Sequence, residues 1–140
     1  MNRIWVKAAW SLVVLFPLIM AWSVPLFRAM SGSKTWNFSD LRHQTIIAAV
    51  PFVILALFLH LKKRNNQKRI DLAAMFAFLS VFIPSTILWS WLHLDALLQW
   101  SVGANIGLGF LLMLSPVYLP VLMLLGFAIG SIIESQISHE

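Results

Sequence analysis

The chain has 140 residues and a formal net charge of +5, and 60% of its residues are hydrophobic against 11% charged. A soluble domain carries about a quarter charged residues, so this composition excludes an ordinary soluble fold and points to a chain dissolved in lipid. The absence of cysteine excludes disulfides, thiolate metal sites, haem attachment through Cys and a Cys nucleophile.

The charges fall in short clusters, and the apolar runs between them are long enough to cross hydrocarbon, which takes roughly 20 residues of helix. The first run is Ala8 to Phe27, preceded by Arg3 and Lys7 and closed by Arg28. A basic start followed by an apolar run also describes a signal peptide. Here the run is long and no small-x-small cleavage site follows, which favours a retained span. The second run is Thr45 to Leu61, closed by Lys62, Lys63 and Arg64, with His43 and His60 near its two ends. The third is Leu72 to about Leu92, led by Asp71 and followed by His93 and Asp95.

The last region carries no charge from Ala96 to Ile133. As a single helix it would run roughly 57 Å, too long for one crossing. The favoured reading places residues 96–104 at the interface and a fourth span over 105–129. The alternative breaks the run at Ser115-Pro-Val-Tyr-Leu-Pro120 into two short crossings. All the runs are apolar on every face, which predicts helices and not the alternating strands of a barrel. The expected fold is therefore all-α: one polytopic transmembrane domain, a four-helix bundle with proline-kinked spans over about 8–27, 45–61, 72–92 and 105–129.

Orientation follows from the basic residues. Lys62, Lys63, Arg64, Lys68 and Arg69 crowd one short connection, and short cytoplasmic loops retain Lys and Arg. Four spans put both termini, with Arg3 and Lys7, on the same side as this loop. Arg28, Lys34 and Arg42 fall on the other. The expectation is an integral protein of a bacterial inner membrane with cytoplasmic N- and C-termini. The positive charge then serves orientation, or attraction to anionic lipid, and no nucleic-acid partner is expected.

Each span contains proline: Pro17 and Pro25, Pro51, Pro84, and Pro116 with Pro120. Proline inside a helix frees a carbonyl one turn earlier and tends to bend the axis. Gly103 with Gly107, and Gly126 with Gly130, have the spacing that lets another helix backbone approach closely. They are expected to pack the helices of the bundle, with an oligomer as the alternative. Asp40 and His43 before span two, and His93 and Asp95 after span three, form the one constellation with metal-ligand chemistry. It matches no standard motif, and side chains that simply face water are the plainer reading. A haem held by His43 and His93 is less favoured, because both sit at span ends. Asn37-Phe38-Ser39 fits a glycosylation acceptor, a short match that nothing else in the sequence supports.

No Asp, Glu, Lys or Arg lies inside a span, where coupled transporters usually place one, and no catalytic motif is present. In layout alone the chain resembles several unrelated small bacterial proteins, among them immunity proteins against pore-forming toxins and small multidrug exporters. The exporters depend on an intramembrane acidic residue, which these spans lack. The expectation is a non-enzymatic protein without a cofactor. It would act through contacts in the bilayer, as an accessory subunit or inhibitor of a membrane-protein partner, immunity to a membrane-active toxin being one form. The alternatives are a small oligomeric transporter or channel built as a homo-oligomer, and a metal- or haem-binding membrane protein.

Overall fold

The computed structural model describes residues 2–30, 38–62, 71–98 and 106–137. They form four helices and no strand: α1 (Asn2–Met30), α2 (Phe38–Leu61), α3 (Leu72–Leu98) and α4 (Ile106–Ile137). Each is long and apolar enough to cross a membrane. The chain is an all-helical protein with four membrane-spanning helices.

The helices outrun the apolar runs of the sequence. Backbone hydrogen bonding continues where a span leaves hydrocarbon, so charged end residues such as Arg28, Asp40 and Arg42 still lie within helices. The largest extension is in α4, which is unbroken through Pro116 and Pro120 and ends at Ile137. The segment from Ser115 to Pro120 is thus part of one continuous helix. Residues 96–98 close α3, whereas 99–105 lie outside the described residues.

At its start, α3 has a defined cap. Asp71 Oδ1 accepts the Ala74 amide at 2.9 Å, and the Asp71 carbonyl accepts the Met75 amide at 3.0 Å. The first is a cap bond that satisfies one of the orphan amides of the helix N-terminus, the second is the first regular bond of the helix, and the carboxylate faces the positive end of the helix dipole.

Contacts between helices fix the topology. Trp22 of α1 meets Thr45 of α2, and Phe16 stacks at a tilt on Phe52 with centroids 4.6 Å apart, so α1 and α2 are antiparallel. Gly126 and Gly130 of α4 lie against residues 72–80 of α3, so that pair is antiparallel too. Trp5 of α1 meets Phe78 of α3 at 5.2 Å, and Phe58 of α2 meets Phe127 of α4 edge-on at 5.1 Å. The bundle thus alternates up and down. The start of α1, the end of α2, the start of α3 and the end of α4 share one end, the basic end; the other is the histidine end. Among the described residues α1 and α4 do not meet, and they occupy opposite corners.

The core runs the length of the bundle, with Phe52, Leu55, Val81 and Leu119 fully buried. In lipid, apolar burial gives helices little reason to prefer one another over acyl chains, so close packing and hydrogen bonds must hold them together. The α3–α4 seam shows the packing. A methyl group at Gly130 would lie 2.6 Å from Ala73 Cα and 2.6 Å from the Leu72 carbonyl oxygen. One at Gly126 would lie 2.6 Å from Ser80 Oγ and 2.7 Å from the Phe76 carbonyl oxygen. Only a residue without a side chain permits that approach.

Candidate functional site

Polar chemistry concentrates at the histidine end. Trp22 Nε1–H donates to Thr45 Oγ1 at 3.1 Å, and the Thr45 hydroxyl donates to the Leu41 carbonyl one turn back at 2.7 Å. This relay ties α1 to the first turns of α2. A second relay ties α1 to α3: Ser23 Oγ lies 2.7 Å from His93 Nε2, and His93 Nδ1 lies 2.6 Å from the Trp89 carbonyl.

The partners decide the tautomer of His93. A carbonyl only accepts, so Nδ1 carries the proton toward Trp89. Nε2 of the neutral ring is then the acceptor, and the Ser23 hydroxyl donates to it. Ser23 has a second acceptor in the Met20 carbonyl, at 3.4 Å, a distance at which it competes poorly. Both ring nitrogens are engaged, and the Trp89 ring packs edge-on against the imidazole with centroids 6.3 Å apart. Trp89 is itself buried at 4% exposure, which holds the ring in place.

Of the four residues with metal-ligand chemistry, His93 is thus an internal fastener of α1 and α3. Binding a metal through Nε2 would require breaking its bond with Ser23. His43 sits on α2 with an exposed side chain. The side chains of Asp40 and Asp95 lie outside the described residues, as does Asn37. No group of three metal-ligating side chains occurs among the described residues.

The glycines divide. Gly126 and Gly130 are buried in the α3–α4 seam, Gly107 is exposed, and Gly103 lies outside the described residues. The prolines divide as well: Pro17 and Pro51 are buried, whereas Pro84, Pro116 and Pro120 are half-buried. Lys62 is exposed where α2 ends, its amide bonded to the Phe58 carbonyl at 2.9 Å. Lys63, Arg64, Lys68 and Arg69 lie outside the described residues.

Several hydroxyls within the spans bond back to their own helix, among them Ser80 to Ala77, Thr86 to Phe82 and Ser131 to Phe127. Ser85 Oγ and Tyr118 Oη are different. Both atoms are buried without a hydrogen-bond partner in the protein, and Ser85 as a whole is 3% exposed.

Sequence reasoning missed Trp22, Ser23 and Thr45 as a set. A signal existed in the i, i+4 spacing of Trp89 and His93, which puts both on one face of α3. The partner on α1 had no such signal, because Ser23 is one small polar residue in an apolar run. No protein-family model, curated protein or solved structure matches the chain.

Proposed function

We propose that this protein acts through contacts within the bilayer, as an accessory subunit or inhibitor of another membrane protein. Protection against a membrane-active toxin is one form of that role. The membrane is read as a bacterial inner membrane, with the basic end in the cytoplasm. The observation that carries this reading is the state of His93. It is the ionisable side chain best placed for chemistry, and both its nitrogens bind the protein itself. The apolar outer faces of α1 and α4 support the reading further. They expose Val14, Leu18 and Ile19 on one helix and Phe110, Met113, Val117 and Val121 on the other. Such faces suit lipid and a partner's transmembrane helix equally.

Photo-crosslinking in native membranes, followed by purification in a mild detergent, tests the proposal. A benzophenone residue in place of Val117 on α4 should capture a distinct membrane protein at a defined mass. Homo-oligomer bands as the main product would favour the pore-forming alternative. Solute movement by the purified protein alone in liposomes would overturn the accessory role.

A further inference from the structure

The Ser23–His93 pair has room for one proton more than it carries. In the neutral state His93 Nδ1–H donates to the Trp89 carbonyl at 2.6 Å, and Nε2 accepts from the Ser23 hydroxyl at 2.7 Å. A second proton on the ring goes to Nε2 and turns that atom from acceptor to donor. A backbone amide in the place of Ser23 could not follow the change, because it only donates. A hydroxyl can, because its oxygen carries acceptor lone pairs beside its own hydrogen. It then needs another acceptor for that hydrogen. The Met20 carbonyl lies 3.4 Å from Ser23 Oγ, one turn back on α1, and is the acceptor that remains once Nε2 is protonated.

Every donor of the protonated pair thus has an acceptor within reach. Nδ1–H keeps the Trp89 carbonyl, Nε2–H takes Ser23 Oγ, and the Ser23 hydroxyl takes the Met20 carbonyl. Rotation of one hydroxyl hydrogen completes the exchange. Protons can arrive there, since His93 is half-buried near the end of α3, and imidazole is the side chain whose charge changes between about pH 5 and 8. The other charged or titratable residues of the helices at this end are Arg28 on α1, Asp40, Arg42 and His43 on α2, and Asp95 on α3. Arg42 and His43 are exposed, and the side chains of Arg28, Asp40 and Asp95 lie outside the described residues. The α4 helix brings none from Ile106 to Ile133.

We propose that Ser23 and His93 form a proton-binding site, in which uptake of one proton reverses the bond between α1 and α3 and hands the Ser23 hydroxyl to the Met20 carbonyl. The link between the helices survives. As a bond from an imidazolium it is charge-assisted and shorter, so the proton tightens the histidine end and adds a bond within α1. The site then answers to the acidity of the compartment opposite the cytoplasm, a consequence that rests on the orientation proposed above, whereas the site itself does not.

The test uses the full chain in lipid bicelles, taken from about pH 8 to about pH 4, across the imidazole range. Histidine carries 15N, Ser23 Cβ carries 13C, and the Met20 carbonyl carries a 13C=18O label read by infrared spectroscopy. The His93 signals are those lost in His93→Gln. We expect one protonated ring nitrogen, Nδ1, at the upper pH and two at the lower. The Met20 band should move to lower frequency with the same midpoint as the His93 signals, and Ser23→Ala should abolish that movement. The recoupled distance from Nε2 to Ser23 Cβ should hold or shorten on acidification. A proton on Nε2 instead of Nδ1 at the upper pH, no second proton at the lower pH, or a distance that lengthens would each overturn the site. A Met20 band that stays in place while His93 titrates would overturn the hand-over. Should Ser23→Ala not fold, the unmodified protein decides: a shared midpoint supports the hand-over, and separate midpoints overturn it.

Discussion

His93 shows how little a residue type reveals before its partners are known. The side chain that looked most like a ligand holds α3 to α1 through Ser23 and takes its tautomer from the Trp89 carbonyl. Ser23→Ala should lower stability in a detergent unfolding titration by about 0.6 to 1.7 kcal/mol, the range of hydrogen bonds between membrane helices. Ser23→Thr keeps the hydroxyl and should restore most of the loss. Trp22→Phe removes the donor to Thr45 while keeping an aromatic ring, and its effect should be similar in size. The two relays share no atom but touch α1 at adjacent residues, so the double variant tests whether their effects add. The sequence made His93 visible as an ionisable residue at a span end. It could not show whether a partner waited on another helix, because Ser23 lies 70 residues away and nothing local couples the two.

Helix ends and seams are where local rules act, and here the sequence was readable in part. Apolar length alone predicted four helices long enough to span, because lipid leaves the backbone no alternative to helix. The ends were not located, since charge marks the edge of hydrocarbon and hydrogen bonding marks the edge of the helix. The glycine spacing was visible too: Gly130 has a glycine four residues before it and Gly109 has none at that spacing on either side, and the two differ in space as well. A methyl group at Gly109 meets nothing within 4 Å, whereas one at Gly130 strikes the α3 backbone. Gly109→Ala should therefore be neutral or stabilising by up to about 1 kcal/mol. Gly130→Ala should cost about 1 to 3 kcal/mol, because backbone cannot step aside as a side chain can. Thermal unfolding of both variants in one detergent gives the comparison, and equal melting temperatures would contradict it. At the start of α3, Asp71→Ala should cost about 0.5 to 2 kcal/mol through loss of the cap, and Asp71→Asn should recover most of it.

The four helices alternate in direction, with three reversals, so the beginning of α1 and the end of α4 share the basic end. The chain has no cysteine, so single cysteines are clean reporters of sidedness. On the orientation proposed above, Ile4→Cys and Ser135→Cys should both react with a membrane-impermeant thiol reagent from the cytoplasmic side only, and Arg42→Cys from the opposite side only. Labelling of Ile4→Cys and Ser135→Cys from opposite sides would contradict the alternation. The corner-to-corner separation of α1 and α4 also bears on how the protein is made. The seam between α1 and α2 needs nothing from the second half of the chain, because Phe16–Phe52 and Trp22–Thr45 are complete within the first 61 residues. A ribosome still translating α3 can already have delivered a closed helical hairpin to the bilayer. The second hairpin then zips along its own glycines and docks through α2 and α3. A short bifunctional crosslinker on cysteines at 16 and 52 should join them in nascent chains stalled before α3 emerges, whereas a pair at 23 and 93 should join only after release.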